Sequence, residues 1–262
     1  MTDAKTLTIA TWNVNSIRAR EERVLEWLAR VQPDVLCLQE LKIEEKDFPF
    51  DEVTERGYTA HVHAQRTYNG VAILSRESAT DAAPGMGDGV EDPAARLISA
   101  RIRGIRVLCG YFPNGQQVGS DKYFYKLEWM HRLVSYLRAT ATANDDIVLC
   151  GDFNVAPDDK DVARPEEWGQ SVLCHAEARA ALERIAEWGL VDVVRQHHPD
   201  GGVYSWWDYR MLAFPKGNGL RIDHIFATRS LAERCVSARV DREARKGKKP
   251  SDHAPVLATF AT

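Results

Sequence analysis

The chain has 262 residues, of which 44% are hydrophobic and 27% are charged, and its formal net charge is −4. These values suit one large globular domain or two small ones. No apolar run approaches the roughly 20 residues that a membrane span requires, and the opening residues 1–5 show no signal-peptide core, so we expect a cytoplasmic protein with no membrane partner. The negative charge argues mildly against a nucleic-acid partner, unless a bound cation neutralises several acids locally.

Five cysteines are spread along the chain without Cys-x-x-Cys spacing. Cys37, Cys109 and Cys150 lie inside apolar, strand-like runs, whereas Cys174 and Cys235 stand alone. An odd and scattered set of cysteines argues against both a disulfide framework and a structural zinc site. We therefore predict reduced thiols in the core.

Hydrophobic periodicity predicts strands and helices that alternate along the chain. Strands are predicted over 6–13, 35–38, 58–63, 70–75, 97–102, 105–111, 147–150 and 256–260. Helices are predicted over 17–31, which ends before Pro33, over the apolar stripe 123–137, and over 178–185, which ends near Gly189. The stretch 84–93 is rich in glycine and acid and is predicted to be a surface loop.

Strands that alternate with helices, together with adjacent strand pairs, indicate an α/β layered architecture with mixed sheets. No internal repeat, linker or low-complexity tract divides the chain, and the candidate site residues run from Asn13 to His253. We therefore interpret residues 1–262 as a single catalytic domain. In such folds, polar residues at strand ends gather along one edge of the sheets.

Polar side chains recur where the apolar, strand-like segments end. They are Asn13, Glu40, Tyr111, Asp152, Asn154, Asp223, Asp252 and His253. Asp152 and Asn154 follow a buried apolar run, and residues two apart on extended backbone point the same way, so this pair can converge on one reacting group. Taken alone, the same segment equally fits an Asx turn that closes a strand.

Several carboxylates brought together without a cation would repel one another and raise each other's pKa. A hard metal ion is the natural companion of such a group, and a small number of oxygen ligands favours magnesium, with manganese as the second choice. The acidic loop 158–161 lacks the glycine and terminal glutamate of an EF-hand, so we interpret it as a solvated loop.

An ordered series of motifs resembles the exodeoxyribonuclease III family of abasic-site endonucleases. The series is Trp12-Asn13-Val14-Asn15, Leu38-Gln39-Glu40, Gly110-Tyr111-Phe112-Pro113-Asn114-Gly115, Gly151-Asp152-Phe153-Asn154, Leu220-Arg221-Ile222-Asp223 and Ser251-Asp252-His253-Ala254-Pro255. It covers almost the whole chain in order, which makes it far more specific than any single motif. The resemblance implies a DNase I-like fold of two packed mixed β-sheets flanked by helices, a magnesium-dependent site at one edge of this sandwich, and duplex DNA as substrate.

The same resemblance implies which residues hold metal. Glu40 corresponds to the main ligand, supported by Asn13 and Asp252. A second ion, if one binds, would be held by Asp152, Asn154 and His253. Asn15 departs from the family pattern, because some relatives have an acid at this position.

Catalytic roles are implied in the same way. Asp152 would orient and deprotonate the attacking water, and Asn154 would donate to the developing oxyanion. His253, oriented by Asp223, would contact the scissile phosphate, and Tyr111 would do so from the other side.

The implied DNA contacts fall into two groups. Trp206, with Leu220 and Ile222 near it, resembles the family's pocket for a flipped-out sugar without its base, whereas Trp207 is predicted to be core. The remaining contacts are Asn114 and two lysines of the basic run before Ser251, Lys248 and Lys249. We interpret this run as tracking phosphates, with a solvated face as the alternative, and the arginines after Asn13 as gripping the other side of the duplex.

These residues predict a monomeric DNA repair enzyme that cuts the phosphodiester on the 5′ side of an abasic site in duplex DNA and trims blocked or duplex 3′ ends. One alternative is a relative that acts on another phosphodiester, such as a lipid or inositol phosphate. Trp206 and the basic run argue against it. A second alternative is a catalytically silent DNA-binding module, but a binder gains nothing by clustering negative charge against phosphate.

Overall fold

The computed structural model describes residues 6–262 and shows two six-stranded mixed β-sheets packed face to face, with helices on both outer faces. The first sheet contains β1 (Thr6–Asn13), β2 (Val35–Gln39), β3 (Thr59–His63), β4 (Val71–Ser75), β11 (Cys235–Val240) and β12 (Val256–Ala261), in the order β11-β12-β1-β2-β4-β3. The second contains β5 (Thr80–Pro84), β6 (Leu97–Ile102), β7 (Ile105–Tyr111), β8 (Ile147–Asp152), β9 (Leu190–Asp192) and β10 (Asp223–Thr228), in the order β5-β6-β7-β8-β10-β9. The predicted fold is therefore confirmed. The expectation that the chain has no signal peptide depends on residues 1–5, which lie outside the described residues.

Eight α-helices connect the strands in this part of the chain. They are α1 (Ile17–Val31), α2 (Phe50–Glu55), α3 (Asp121–Thr140), α4 (Pro165–Trp168), α5 (Ala176–Glu187), α6 (Val193–His197), α7 (Ala213–Lys216) and α8 (Arg229–Ala232). The three predicted helices correspond to α1, α3 and α5. Ser16 and Ser120 cap α1 and α3 by accepting backbone N–H groups of the first turn. Across residues 6–262, no helix combines the length and apolarity that crossing a membrane requires.

Alternate residues of the central strands face different layers, which explains why these strands read as continuous apolar runs. Ile9 and Val107 lie in the core between the two sheets, whereas Ala10 and Leu36 pack under α1 on the outer side of the first sheet. All five cysteines are unpaired and buried, as predicted.

The strand directions bring the site residues to one edge. Each sheet has one parallel pair near its centre, β1 with β2 and β7 with β8, so the carboxyl ends of these four strands point the same way. β10 runs antiparallel to β8 and begins where β8 ends, because Asp223 pairs with Asp152, which in turn pairs with Tyr111. β12 likewise runs antiparallel to β1.

The structure contains four strands that the sequence analysis does not predict, β5, β9, β10 and β11. Pro84 belongs to β5, an edge strand whose residues are all exposed and which therefore has no alternating apolar pattern to reveal it. The basic segment after Cys235 begins as β11, which pairs with β12. The aromatic segment 204–209 forms no regular strand; Trp206 only makes isolated bridges with Leu220 and His253.

Candidate active site

Asp152 ends β8 and lies at the centre of the strand-end edge, almost completely buried. Its Oδ2 atom accepts hydrogen bonds from Nδ2 of Asn13 at 2.9 Å and from Nδ2 of Asn154 at 3.2 Å. Its Oδ1 atom accepts the backbone N–H of Asn154 at 2.9 Å. Burial raises the pKa of Asp152 to about 7; the positive charge of His253 opposes this shift and the nearby carboxylates add to it. Asp152 is thus a fixed carboxyl group whose pKa suits proton transfer near neutral pH.

Glu40 follows β2 with a left-handed backbone conformation (φ 56°). Its Oε1 atom accepts Nδ2 of Asn13 at 2.8 Å and the hydroxyl of Tyr111 at 3.0 Å. Its Oε2 atom pairs with Nζ of Lys42 at 2.7 Å, and the same Nζ donates to Oδ1 of Asn15 at 2.7 Å. Burial and the charges of neighbouring carboxylates hold the pKa of Tyr111 well above its usual range, so its phenol stays protonated and can donate.

His253 and Asp223 form a buried ion pair next to Asp152. Nδ1 of His253 lies 2.8 Å from Oδ2 of Asp223, and Oγ of Ser205 donates to the same oxygen at 2.6 Å. Nε2 of His253 points toward Asp152, at 3.8 Å from its Oδ2. Burial would lower the pKa of His253, but the charges of Asp223 and Asp152 outweigh it and raise the pKa to about 10. The ring is therefore an imidazolium whose Nε2–H faces the site.

A metal ion fits one part of this edge. Carboxylate oxygens of Glu40 and Asp152 and a ring nitrogen of His253 lie within 4.8 Å of one another. The two carboxylates are the ligands available here, because the imidazolium of His253 can bind a metal only after it loses a proton. The carboxylates of Glu40, Asp152 and Asp223 surround the single imidazolium of His253. Asn13 donates hydrogen bonds to two of these carboxylates, those of Glu40 and Asp152. Such an excess of oxygen-borne negative charge suits a hard divalent cation.

Asp252, which the resemblance places among the metal ligands, is not brought into this group. Its Oδ1 accepts Nδ2 of Asn15 at 2.9 Å and its Oδ2 accepts Nε1 of Trp206 at 3.0 Å. Burial would raise the pKa of Asp252, but the charge of His253 and these two hydrogen bonds together lower it. Asp252 therefore stays ionised and connects the site to the aromatic segment.

Asn154 lies in a left-handed turn (φ 50°) just after β8. Its Nδ2 donates to Asp152 and, at 3.1 Å, to the backbone carbonyl of Phe112, while its Oδ1 accepts Nδ2 of the exposed Asn114 at 2.9 Å. The structure thus joins Asn114, Asn154 and Asp152 in one hydrogen-bonded chain that leads from the surface to the buried carboxylate.

Trp206 is partly buried beside the site, and its main chain pairs with that of Leu220. Leu220 and Ile222 are only 1% and 2% exposed, so their side chains support the surface around Trp206 from below. Trp168 packs edge-to-face on Trp206 with ring centroids 5.6 Å apart. Trp207 is 1% exposed, which confirms the prediction that it is core.

The basic run before Ser251 divides into exposed and buried members. Lys248 and Lys249 are exposed, but Arg245 is buried, with its guanidinium 5.0 Å from the ring centroids of both Tyr209 and Phe214. Arg245 is therefore part of the packing, and the phosphate-tracking interpretation applies only to the exposed lysines.

Arg20 and Arg23 of α1 contact this run from below. Arg23 donates to the backbone carbonyls of Ala244, Lys246 and Lys248, and Arg20 donates to that of Pro250. In the structure, Arg20 and Arg23 therefore hold the loop that carries the lysines. They do not form the separate contact surface for the opposite side of a duplex that the sequence analysis predicts.

Three residues at the site were not singled out from the sequence. Lys42 pairs with Glu40, Trp168 packs on Trp206, and Lys126 binds the backbone of Asn154. Only Lys126 had a sequence signal: it falls three residues after Tyr123 and four before Met130, on the apolar face of the predicted helix.

Comparisons with known proteins agree with this geometry. Residues 10–253 match the profile of the Endonuclease/Exonuclease/phosphatase family. The chain is 34% identical over 262 residues to exodeoxyribonuclease III of Haemophilus influenzae, with 95% of this chain and 98% of that protein covered. Among solved structures, it resembles an AP endonuclease from Archaeoglobus fulgidus (TM-score 0.95, 44% identity, 98% of this chain and 100% of that one). It also resembles NExo, a 3′-5′ exonuclease from Neisseria meningitidis (TM-score 0.95, 41% identity, 98% and 100%). The chain belongs to the endonuclease/exonuclease/phosphatase family, in its exodeoxyribonuclease III branch, and is a hydrolytic nuclease.

Proposed function

We propose that this nuclease repairs DNA by hydrolysing the phosphodiester on the 5′ side of abasic sites in duplex DNA and by trimming blocked 3′ ends as a 3′–5′ exonuclease. The observation that carries the proposal is the link between the reaction centre and the aromatic surface: His253 faces Asp152, and the preceding residue, Asp252, accepts a hydrogen bond from the indole of Trp206. The similar proteins named as exodeoxyribonuclease III, AP endonuclease and 3′-5′ exonuclease support the same substrate class. We expect residues 1–262 to act as one catalytic domain and as a monomer.

Magnesium, with manganese as a substitute, is the proposed metal, and Glu40 is its proposed principal ligand, supported by Asn13. Asp252 would join them only by giving up its hydrogen bonds to Asn15 and Trp206. When bound, the divalent cation would neutralise the excess carboxylate charge and polarise the scissile phosphate.

The protein groups supply the proton transfers and the hydrogen bonds to phosphate. Asp152 accepts a proton from water as the water oxygen forms a bond to phosphorus and the bond from phosphorus to the 3′ oxygen breaks. Its carboxylate is aimed by the amides of Asn13 and Asn154. His253, held as an imidazolium by Asp223, donates from Nε2 to a non-bridging phosphate oxygen, where negative charge grows in the transition state.

Two further donors complete the proposed site. The phenol of Tyr111 remains protonated and donates to the phosphate from the side of Glu40. The Nδ2 group of Asn154 is the proposed donor to the developing oxyanion, and Asn114 holds that amide in place through Oδ1. Before substrate binds, the Tyr111 hydroxyl donates to Glu40 and the Asn154 amide donates to Asp152 and Phe112, so each group redirects a proton to the phosphate when substrate binds.

The abasic specificity is tested with two matched duplexes, one with a single abasic analogue and one with an intact recessed 3′ end, each with and without magnesium. A sugar without its base needs an apolar surface to pack on, so Trp206→Ala should slow cleavage at the abasic analogue far more than it slows degradation of the intact end. Trp188→Ala, which removes a partly buried tryptophan after α5, is the matched control and should leave the ratio of the two rates unchanged.

Two results would contradict the proposal. If the wild-type protein degrades 3′ ends but leaves the abasic duplex intact, the abasic assignment is wrong. If folded Trp206→Ala loses both activities by the same factor, Trp206 is a general DNA contact or a core residue, and the sugar pocket lies elsewhere.

A further inference from the structure

Lys126 is a completely buried lysine on the inner face of α3. Its Nζ atom donates to three backbone carbonyls, those of Val172 at 2.7 Å, Asn154 at 2.8 Å and Asn114 at 3.2 Å. An ammonium group has three N–H donors, and all three are used here. No carboxylate forms an ion pair with Lys126 within residues 6–262. Burial lowers the pKa of Lys126 to about 7, and the charge of Asp152 opposes this shift.

The three carbonyls belong to three different loops that carry the proposed site. Asn114 lies in the loop between β7 and α3, Asn154 lies in the turn after β8, and Val172 lies between α4 and α5. The last of these loops follows Trp168, whose ring packs on Trp206. The buried Nζ atom of Lys126 therefore links the loops that carry Asn114 and Asn154 to the loop that follows Trp168.

The packing around Lys126 leaves little freedom in these loops. Gly115 has φ 92°, and a Cβ atom there would lie 3.1 Å from Cδ of Lys126 and 3.2 Å from the ring of Tyr123. The loop backbone thus rests directly on the lysine stem. Asn154 also has a left-handed backbone, which is an unfavourable conformation for a residue with a side chain unless its surroundings enforce it.

The desolvation of its ammonium opposes a lysine at this position. An apolar side chain of similar length would fill the space between Tyr123 and Met130 without that cost, but it would leave the three carbonyls without this donor. What an apolar side chain cannot do is bind three carbonyls at once. The feature that distinguishes lysine here is therefore the geometry it imposes on the loops.

We propose that Lys126 is a positioning residue for phosphodiester hydrolysis: it fixes the peptide groups of Asn114 and Asn154 and so holds the Asn154 amide against Asp152. The chain of contacts runs from Nζ of Lys126 to the Asn154 backbone, and from the Asn154 amide to the carboxylate of Asp152. The inference rests on the roles proposed above for Asp152 and Asn154 and adds the residue that orients them.

The test is a double-mutant cycle of single-turnover rates on the abasic duplex at saturating magnesium. Lys126→Met keeps the length of the side chain but removes its charge and donors, and it should lower the rate at least about tenfold, because a misplacement of about 1 Å can cost about 10²-fold. Duplex affinity, measured by fluorescence anisotropy, should change far less than the rate. Lys122→Met, on the exposed face of the same helix, is the matched control and should keep the wild-type rate.

The cycle separates positioning from general destabilisation. If Lys126 acts through Asn154, Lys126→Met should cost little further rate in an Asn154→Ala background, whereas independent effects would multiply. Circular dichroism and thermal unfolding confirm that each variant is folded. Lys126→Gln retains two N–H donors and serves as the second variant if Lys126→Met does not fold; it should show a smaller loss of rate that is coupled to Asn154 in the same way.

Three outcomes would overturn the inference. The first is a folded Lys126→Met or Lys126→Gln variant with the wild-type rate. The second is a double variant with Asn154→Ala whose loss of rate equals the product of the losses in the two single variants. The third is a wild-type rate for Asn154→Ala alone, which would remove the proposed role of Asn154 as well. It is distinguishable from the others because it requires no change at Lys126. Failure of wild-type protein to cut the abasic duplex is a separate result that contradicts the proposed substrate.

Discussion

The segment from Arg221 to His224 contributes side chains to two neighbouring clusters of buried charge that differ in their balance. We define the catalytic cluster as Glu40, Asp152, Asp223 and His253, and the arginine cluster as Asp161, Asp192, Arg195, Arg221 and His224. Asp223 belongs to the first cluster, and Arg221 and His224 belong to the second. Both clusters lie at the strand-end edge and both combine buried with partly exposed members, so burial alone does not tell them apart.

The arginine cluster is neutral overall. Nε of Arg221 donates to Asp161 at 2.6 Å and its Nη1 donates to Asp192 at 2.7 Å, while Arg195 pairs with Asp161 as well. Burial and the charge of Arg221 lower the pKa of His224, so its ring is neutral. Two carboxylates thus face two guanidinium groups, which is the arrangement of a structural network.

The catalytic cluster has three carboxylates and one imidazolium. Lys42 contacts Glu40 from its partly exposed side, but among residues 6–262 no cation pairs with Asp152 other than His253. Burial raises the pKa of Asp152 and the neighbouring carboxylates add to this shift, while the charges of Asp223 and Asp152 raise the pKa of His253 against the effect of its burial. The comparison indicates that a buried network with balanced charges holds the chain together, whereas one with a charge excess is set up to receive a ligand of the opposite charge.

The sharpest test of this comparison makes the same substitution in both clusters. Asp152→Asn keeps the shape of the side chain but cannot accept a proton, so it should lower the single-turnover rate by at least about 10²-fold while leaving the fold intact. Asp161→Asn leaves the buried guanidinium of Arg221 and the partly exposed one of Arg195 short of a partner and should lower the free energy of unfolding by about 3–5 kcal/mol. Urea unfolding and single-turnover kinetics on both variants provide the measurements.

The expected pattern is a crossover. Asp152→Asn should lose rate and keep stability, and Asp161→Asn should lose stability and keep most of the rate per folded molecule. A wild-type rate for Asp152→Asn would move the base assignment to another residue. A fully stable Asp161→Asn would show that the arginine cluster contributes no net pairing energy.

Removal of Glu40 tests whether the charge excess is used to bind metal. Glu40→Ala takes away a carboxylate ligand of a weakly held hard cation, so half-maximal rate should require roughly tenfold more magnesium or higher. Glu45→Ala, an exposed acid in the following turn, is the control. If both variants and the wild type share one magnesium titration curve, Glu40 is not the principal ligand.

The ionisation of His253 gives a smaller, pH-dependent effect. Its pKa is raised to about 10 in the folded protein and is about 6.5 in an unfolded chain. Because the folded state holds the proton more tightly, the stabilisation is fully present below about pH 6.5 and is lost as the pH rises toward about 10. Asp152, whose pKa is raised to about 7, contributes with the same sign at lower pH, between about pH 4 and about pH 7.

We therefore expect the free energy of unfolding of the metal-free wild type to fall over this pH interval, by an amount on the order of a few kcal/mol. His253→Asn should show a flatter profile. The measurement is a series of urea unfolding curves in the presence of a chelator. Parallel profiles for the two proteins would show that His253 does not titrate with the raised pKa.

The strand-end residues are the part of the site that the sequence could reveal. Asn13, Glu40, Tyr111 and Asp152 each follow or end a continuous apolar run, and the ends of buried strands are constrained to one edge by sheet topology. The layered α/β architecture with mixed sheets followed for the same reason, because the composition of strands such as β2 and β8 shows that they are buried on both faces. The sandwich of two sheets followed only from the family resemblance.

The sequence could not predict side-chain positions that depend on contacts with distant loops. The position of Asp252 depends on Asn15 and Trp206, and the burial of Arg245 depends on two rings from the segment 209–214. Helical spacing gave the place of Arg23 on α1, but not that its guanidinium binds backbone carbonyls more than 200 residues later. Such pairings are set by tertiary packing, which leaves no local pattern.

The smallest expected effect is on duplex binding, from removal of the two exposed lysines of the basic run. This prediction concerns charges on the surface, in contrast to the two buried clusters. The carbonyls of Lys246 and Lys248 are held by Arg23, so the loop backbone is fixed while the lysine side chains remain free to meet phosphate. Neutralising Lys248 and Lys249 together should weaken duplex binding modestly and flatten its salt dependence. Each phosphate contact that is lost should lower the slope of log K against log salt by about one.

The control removes the same charge elsewhere, from two exposed arginines on the outer helices, Arg138 of α3 and Arg184 of α5. Removing these arginines should change the net charge equally but leave the slope as in wild type, because the slope counts phosphates neutralised at the interface. An equal slope for the lysine variant and wild type would return the run to the solvated-face interpretation. Equal flattening in both double variants would show that the general field of the protein, and not this run, sets the salt dependence.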